Sequence, residues 1–107
     1  MTAYLLGAID VHDRAAYAQY RACALPLIAA LSDVELLSRD DHPMLFEGAI
    51  PADHLFILKF PSLDRVKAFI ESEEYGRCIP LRHVAATTRY VMAMRGTDEG
   101  GAAIVGT

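Results

Sequence analysis

The 107-residue chain has no tryptophan, only two cysteines, and no apolar run long enough to cross a bilayer. Each lack closes off a class of function. Stretches such as residues 55–58 fall far short of the roughly 20 apolar residues that a membrane helix needs, so no membrane association is expected. Ten Lys and Arg stand against fourteen Asp and Glu, and the basic residues are scattered along the chain. A phosphate-tracking stripe is therefore missing, and nucleic acid is not an expected partner. The aromatics lie on apolar stripes and not across a polar face, so a stacking platform for single strands is missing too. No G-x-G-x-x-G, P-loop, G-x-S-x-G or H-E-x-x-H occurs, which disfavours nucleotide, flavin and zincin chemistry. No cofactor is expected. Cys23 and Cys78 form no C-x-x-C and have no histidine at ligand spacing, so both are expected as reduced, partly buried thiols. The chain enters a strand pattern without a basic leader and reads as cytoplasmic.

What is present is apolar surface in excess. A hydrophobic fraction of 53% is high for one small domain, because a chain this short has little interior in which to hide it. A partner surface is the simplest outlet. One domain over residues 1–96 is expected, followed by a Gly-rich tail, 97–107, that is disordered by default.

Residues 3–11 are apolar on both alternation faces, as in a strand covered on both sides. Asp13 is placed to cap a helix running to about Leu31, with Tyr17, Tyr20, Ala24, Leu27, Ile28 and Leu31 as its core stripe. Pro26 inside that pattern predicts a kink near residues 22–25. Residues 34–38 and 44–50 read as strands around a polar turn, either one bent strand or a hairpin. Residues 54–60 form another doubly apolar strand, broken only by Lys59. Ser62 and Ser72 are placed to cap two helices, Pro80 resets the second, and 89–95 is the last strand. This order gives an α+β, ferredoxin-like split βαβ sandwich with helices on one face of an antiparallel sheet. The other face is left bare, and a homodimer packing sheet on sheet would cover it.

The string Tyr4-Leu5-Leu6-Gly7, Ile9-Asp10-Val11, Tyr17 and Tyr20, Arg39, Glu47-Gly48, Phe60-Pro61-Ser62, Ser72, Glu74-Tyr75 and Leu81-Arg82 resembles the domain of unknown function 1330 family. The resemblance covers residues 3–96 and implies the dimeric α/β barrel superfamily. That superfamily includes cofactor-independent monooxygenases, muconolactone isomerase-like enzymes, haem-degrading proteins and small cyclases. The chain departs from the family pattern at Ser32-Asp33 and at Asp40-Asp41, where glycine pairs are usual, and at Lys59, usually acidic.

Several groups carry possible chemistry. His12 and His54 are expected at one rim of the sheet with Asp10 and Asp13 nearby, as solvated side chains, an acid/base pair or a weak metal site. Tyr20, Arg39, Glu47 and Arg82 are expected either to pack and pair structurally or to point into a cavity between helices and sheet, Arg39 pairing with Glu47. There the arginines, with Asp10 and Tyr75, would hold an organic anion while Tyr20, Glu47, His54 or His12 moves protons. Arg82, His83 and Arg89 read as a small basic cluster at a helix end. Lys59, if buried, is expected to pair across the dimer with Asp10 or Glu47. The expected function is a cofactor-independent isomerase, cyclase, lyase or monooxygenase acting on a small anionic metabolite. A non-catalytic binding or structural homodimer is the alternative.

Overall fold

The computed structural model describes residues 2–49 and 52–99. Strand β1 (Ala3–Val11) is followed by helix α1 (Arg14–Ala29), β2 (Glu35–Asp40), β3 (His54–Phe60), α2 (Leu63–Ile70), α3 (Glu73–Gly76), α4 (Ile79–Ala85) and β4 (Ala86–Arg95). The strands form one antiparallel sheet in the order β2-β3-β1-β4. This is the ferredoxin-like arrangement.

Local chemistry accounts for the helix starts. The Asp13 carboxylate accepts from the Ala16 N–H at 3.0 Å, Ser62 Oγ from Arg65 N–H at 3.1 Å, and Ser72 Oγ from Tyr75 N–H at 3.3 Å. Each satisfies one of the donors that the first turn leaves unpaired. Pro80 stands in the first turn of α4, where its missing N–H is harmless. Pro26 does not end α1, which continues to Ala29.

The core lies between the helices and one sheet face. Ala3, Leu5 and Ile9 of β1 and Leu58 and Phe60 of β3 meet Tyr17, Tyr20 and Ala24 of α1 and Val66 and Phe69 of α2. At about 1.5–3 kcal/mol for each large apolar side chain, this burial holds the helices to the sheet. Gly7 leaves room for its neighbour: it stands opposite Phe56, whose ring fills the space a Cβ would take.

Several expectations change. Cys23 and Cys78 are joined by a disulfide between α1 and the residue before α4, 55 positions apart in sequence. They are not free thiols. Residues 44–49 form no strand, and β4 starts at Ala86, three residues earlier than its polar beginning implied. Lys59 is exposed, since the alternation of β3 turns it to the bare face of the sheet. The tail's first turn, Thr97–Glu99, is a 3-10 turn tied to the residue before β1 by Thr2 donors to Asp98, and residues 100–107 lie outside the described residues. No helix among the described residues is long and apolar enough to cross a membrane.

Candidate functional site

Antiparallel pairing sets His54, the first residue of β3, opposite Ile9 near the end of β1. Its alternation with Phe56 and Leu58 turns it toward α1, where it is only 7% exposed. There its Nδ1 lies 2.7 Å from Asp41 Oδ1. A carboxylate can only accept, so Nδ1 donates, and in the neutral ring the lone pair sits on Nε2. No described residue hydrogen-bonds Nε2. The same bond holds the Asp41 carboxyl below the usual carboxylate range, with the charges of His54 and Arg39 adding to the effect. Arg39 Nη2 stands 3.8 Å from Asp41 Oδ1, and the Tyr17 ring meets the imidazole edge-on at 5.7 Å.

Two adjoining chambers open around this pair. The outer one, about 240 Å³, is lined by Arg14, Tyr17, Arg21, Arg39, Asp41 and His54, among others. The inner one, about 90 Å³, shares Tyr17, Arg21, Arg39 and His54 and continues over Ala24, Ile28, Leu36, Phe56 and Leu58. The mouth is cationic and the end is apolar. Arg14 and Arg21 form no ion pair among the described residues, while Asp53 is engaged by the Val11 N–H at 3.0 Å. Burial, then the neighbouring Tyr20, pushes the Tyr17 phenol up to about 12, so at neutral pH it is an uncharged wall.

A second polar group lies behind α1. Tyr20 Oη and Tyr75 Oη are 2.8 Å apart, and Arg82 Nη1 donates to Tyr75 Oη at 2.7 Å and to Tyr20 Oη at 3.5 Å. Arg82 Nε donates to Thr88 Oγ1 at 3.1 Å, and its guanidinium lies 5.6 Å from the Tyr20 ring centre. Arg82 is 6% exposed and lines neither chamber. Burial and then Tyr20 push the Tyr75 phenol well up, so the guanidinium is held by hydroxyl dipoles.

Of the residues singled out in the sequence, His54 and Arg39 converge on the cleft, and Tyr20 contributes its ring to the inner chamber. Glu47 does not: it is exposed in the segment after β2 and lines neither chamber. The expected Arg39–Glu47 pair gives way to Arg39 with Asp41, two residues along the same strand end. His12 stands at the same end of the sheet as His54 but on an exposed bend beyond the strand, where its backbone N–H bonds Ala85 O. No group of three or more metal-type ligands converges among the described residues. Asp10 pairs with Arg89 at 3.0 Å, outside the cleft, and Tyr75 lies with Arg82 in the buried group. The expected basic cluster is thereby divided, with Arg82 turned inward, His83 exposed and Arg89 on Asp10. Tyr17, Asp41, Arg14 and Arg21 were not assigned to a site from the sequence. The spacing of Arg14, Tyr17 and Arg21 puts them on one helical stripe, which is the signal that was there to read.

A family model described as a domain of unknown function (DUF1330) matches residues 2–97. Among solved structures, a protein of unknown function from Rhodopseudomonas palustris is similar with a TM-score of 0.70 at 17% identity, covering 89% of this chain and 82% of that one. A dimeric, ferredoxin-like protein of unknown function from Bacteroides fragilis gives 0.62 at 11% identity, covering 89% and 96%. SnoaB, a cofactor-independent oxygenase from Streptomyces nogalater, gives 0.62 at 10% identity, covering 89% and 92%. At these identities the likeness is one of fold. Among curated proteins no match is found.

Proposed function

The chain belongs to the domain of unknown function (DUF1330) family, and from that premise we propose that it performs cofactor-independent proton-transfer chemistry on a small organic anion bound between α1 and the sheet. The observation that carries this reading is the His54–Asp41 pair, which lines a chamber with a cationic mouth and an apolar end, the His54 Nε2 having no hydrogen bond among the described residues. Arg39, with Arg14 and Arg21, binds the carboxylate of the ligand. The inner chamber takes a short apolar body, and Tyr17 excludes water from one side of the imidazole.

His54 Nε2 removes a proton from the carbon next to a carbonyl or carboxylate, and Asp41 steadies the imidazolium that forms. The electron pair left on carbon delocalises onto oxygen, where Arg39 balances the charge. Return of the proton to another carbon gives an isomer. The same carbanion is the starting species for ring closure, elimination or reaction with dioxygen. A fold shared with a cofactor-independent oxygenase is consistent with such chemistry.

The protein works as a homodimer, its second copy covering the bare sheet face, as the dimeric state of a fold relative also suggests.

The test is a ligand-observed NMR screen of aromatic and aliphatic carboxylates, followed by deuterium wash-in at the acidic carbon of any ligand found. Arg39→Ala is expected to abolish binding, and His54→Gln to keep binding while removing wash-in. A wild type that binds no carboxylate overturns the reading.

A further inference from the structure

The segment after β2 carries the two most exposed large apolar side chains of the described residues, with a third between them. Met44 is 78% exposed, Leu45 58% and Phe46 86%. Three adjacent apolar side chains thus stand largely in water in the protomer. The segment starts at the cleft, since Asp41 and His42 line its outer chamber. It then turns to the other side of the sheet, where Pro43 and Met44 border a groove of about 250 Å³ over Leu6, Leu55, Ile57 and Tyr90. One short stretch thus joins the candidate site to the bare sheet face.

That face is apolar at its centre. Pairing aligns Leu6 with Ile57 and Met92, Ala8 with Leu55 and Tyr90, and Tyr4 with Met94, while Glu35 and Lys59 pair toward the rim. Four strands about 4.8 Å apart, with about seven residues of roughly 3.3 Å rise, present on the order of 450 Å². A specific interface covers about 800 Å² on each partner, so the sheet face alone falls short. An aromatic such as Phe46 brings on the order of 150–250 Å² of its own, and Met44 and Leu45 stand beside it. Each copy therefore holds both a projecting apolar arm and a groove of the size to receive one. A two-fold, self-complementary interface requires this pairing.

We propose that a second copy of this chain seats the arm, Met44, Leu45 and Phe46, in its open-face groove, and that this docking holds Asp41 against His54. The arm is then a positioning element: it touches no ligand, but the chain between Asp41 and Met44 is too short for the two to move independently. This rests on the homodimer and on the His54–Asp41 cleft inferred above, and adds that docking of the partner steadies Asp41 in that cleft.

The full-length wild type, the double variant Leu45→Ser/Phe46→Ser and the single variant Met92→Glu are compared by sedimentation velocity. The His54 Nδ1–H proton is followed by NMR, and benzoate is the binding probe. The substituted residues are exposed, and circular dichroism checks that each variant keeps its fold. The expected result is a wild type at twice the protomer mass of 11.7 kDa. Both variants dissociate at concentrations at least a hundredfold higher than wild type, lose the hydrogen-bonded Nδ1–H signal and bind benzoate about tenfold more weakly. Met92→Glu leaves the arm intact, so its loss of the signal ties the effect to docking. A monomeric wild type, a double variant with unchanged dimerisation, or a monomer that retains the His54 signal overturns the proposal. If such a monomer still binds benzoate at full strength, the cleft reading survives. If wild type dimerises through the arm and never binds benzoate, the cleft reading loses support and the docking stands.

Discussion

Tyr17 and Tyr20 stand one turn apart on α1, both buried, with ring centres separated by 5.4 Å. Each has an arginine and another polar ring nearby. Their surroundings nevertheless have opposite characters. Around Tyr20, Tyr75 and Arg82 the polar atoms spend their hydrogen bonds on one another, in a region clamped by the Cys23–Cys78 disulfide. Around Tyr17, His54, Arg14 and Arg21 line a void, and among the described residues the His54 Nε2 has no hydrogen bond and the two arginines no ion pair. Residue types alone do not tell a structural knot from a site. The difference lies in whether the bonds are closed and whether there is room beside them.

The comparison breaks most sharply at the disulfide. A crosslink spanning 55 residues restricts the unfolded chain by about 4 kcal/mol in the loop-entropy model, so Cys23→Ser/Cys78→Ser is expected to lower the urea midpoint by that equivalent. Carboxylate binding at Arg39 should persist at temperatures where the variant is folded. His54→Gln should act in the reverse sense, reducing turnover of a ligand substrate by about 10²–10⁴-fold while stability changes little. A stopped assay with unchanged thermal unfolding checks it. Tyr75→Phe removes the hydroxyl shared by Tyr20 and Arg82 and should cost about 1–3 kcal/mol, read from denaturant unfolding, with benzoate affinity unmoved.

The pH dependence sharpens the comparison further. The Tyr17 phenol is raised from an ordinary value of 10 to about 12, and Tyr75 is raised as well. A raised phenol means that the fold prefers the neutral form, so this contribution is complete below pH 10 and is lost as pH climbs toward 12. Titration of tyrosine absorbance at 295 nm should find these two ionising last, together with unfolding. The smallest expected effect belongs to Gly7→Ala. A methyl there displaces the Phe56 ring, which lines the inner chamber, and should weaken ligands with the bulkiest apolar bodies first.

Much of the architecture was legible because it follows from local rules. Asp13, Ser62 and Ser72 each cap the helix expected of them, and the period-2 pattern of residues 3–11 and 54–60 marks the two central strands. The segment 44–50 misled: apolar composition alone cannot distinguish a strand from an exposed segment, and residues 44–49 take no strand partner. The sequence puts His54 at a rim of the sheet and Arg39 in a cavity between helices and sheet, and both line the cleft. Asp41 was noted only as a departure from a glycine pair, although it is the carboxylate that orients His54.

The amino-acid sequence by itself determined the order of elements, the capped helix starts and the excess of apolar surface, since caps, periodicity and composition act over a few residues. Which groups meet was decided only by the tertiary structure. Arg39 goes to the cleft and Arg82 to the knot, His54 takes Asp41 and not His12, and two cysteines 55 residues apart become one bond. Each depends on the pairing of β1 with β3 and on the packing of α1 against α4, and those long-range distances are set by the whole core at once.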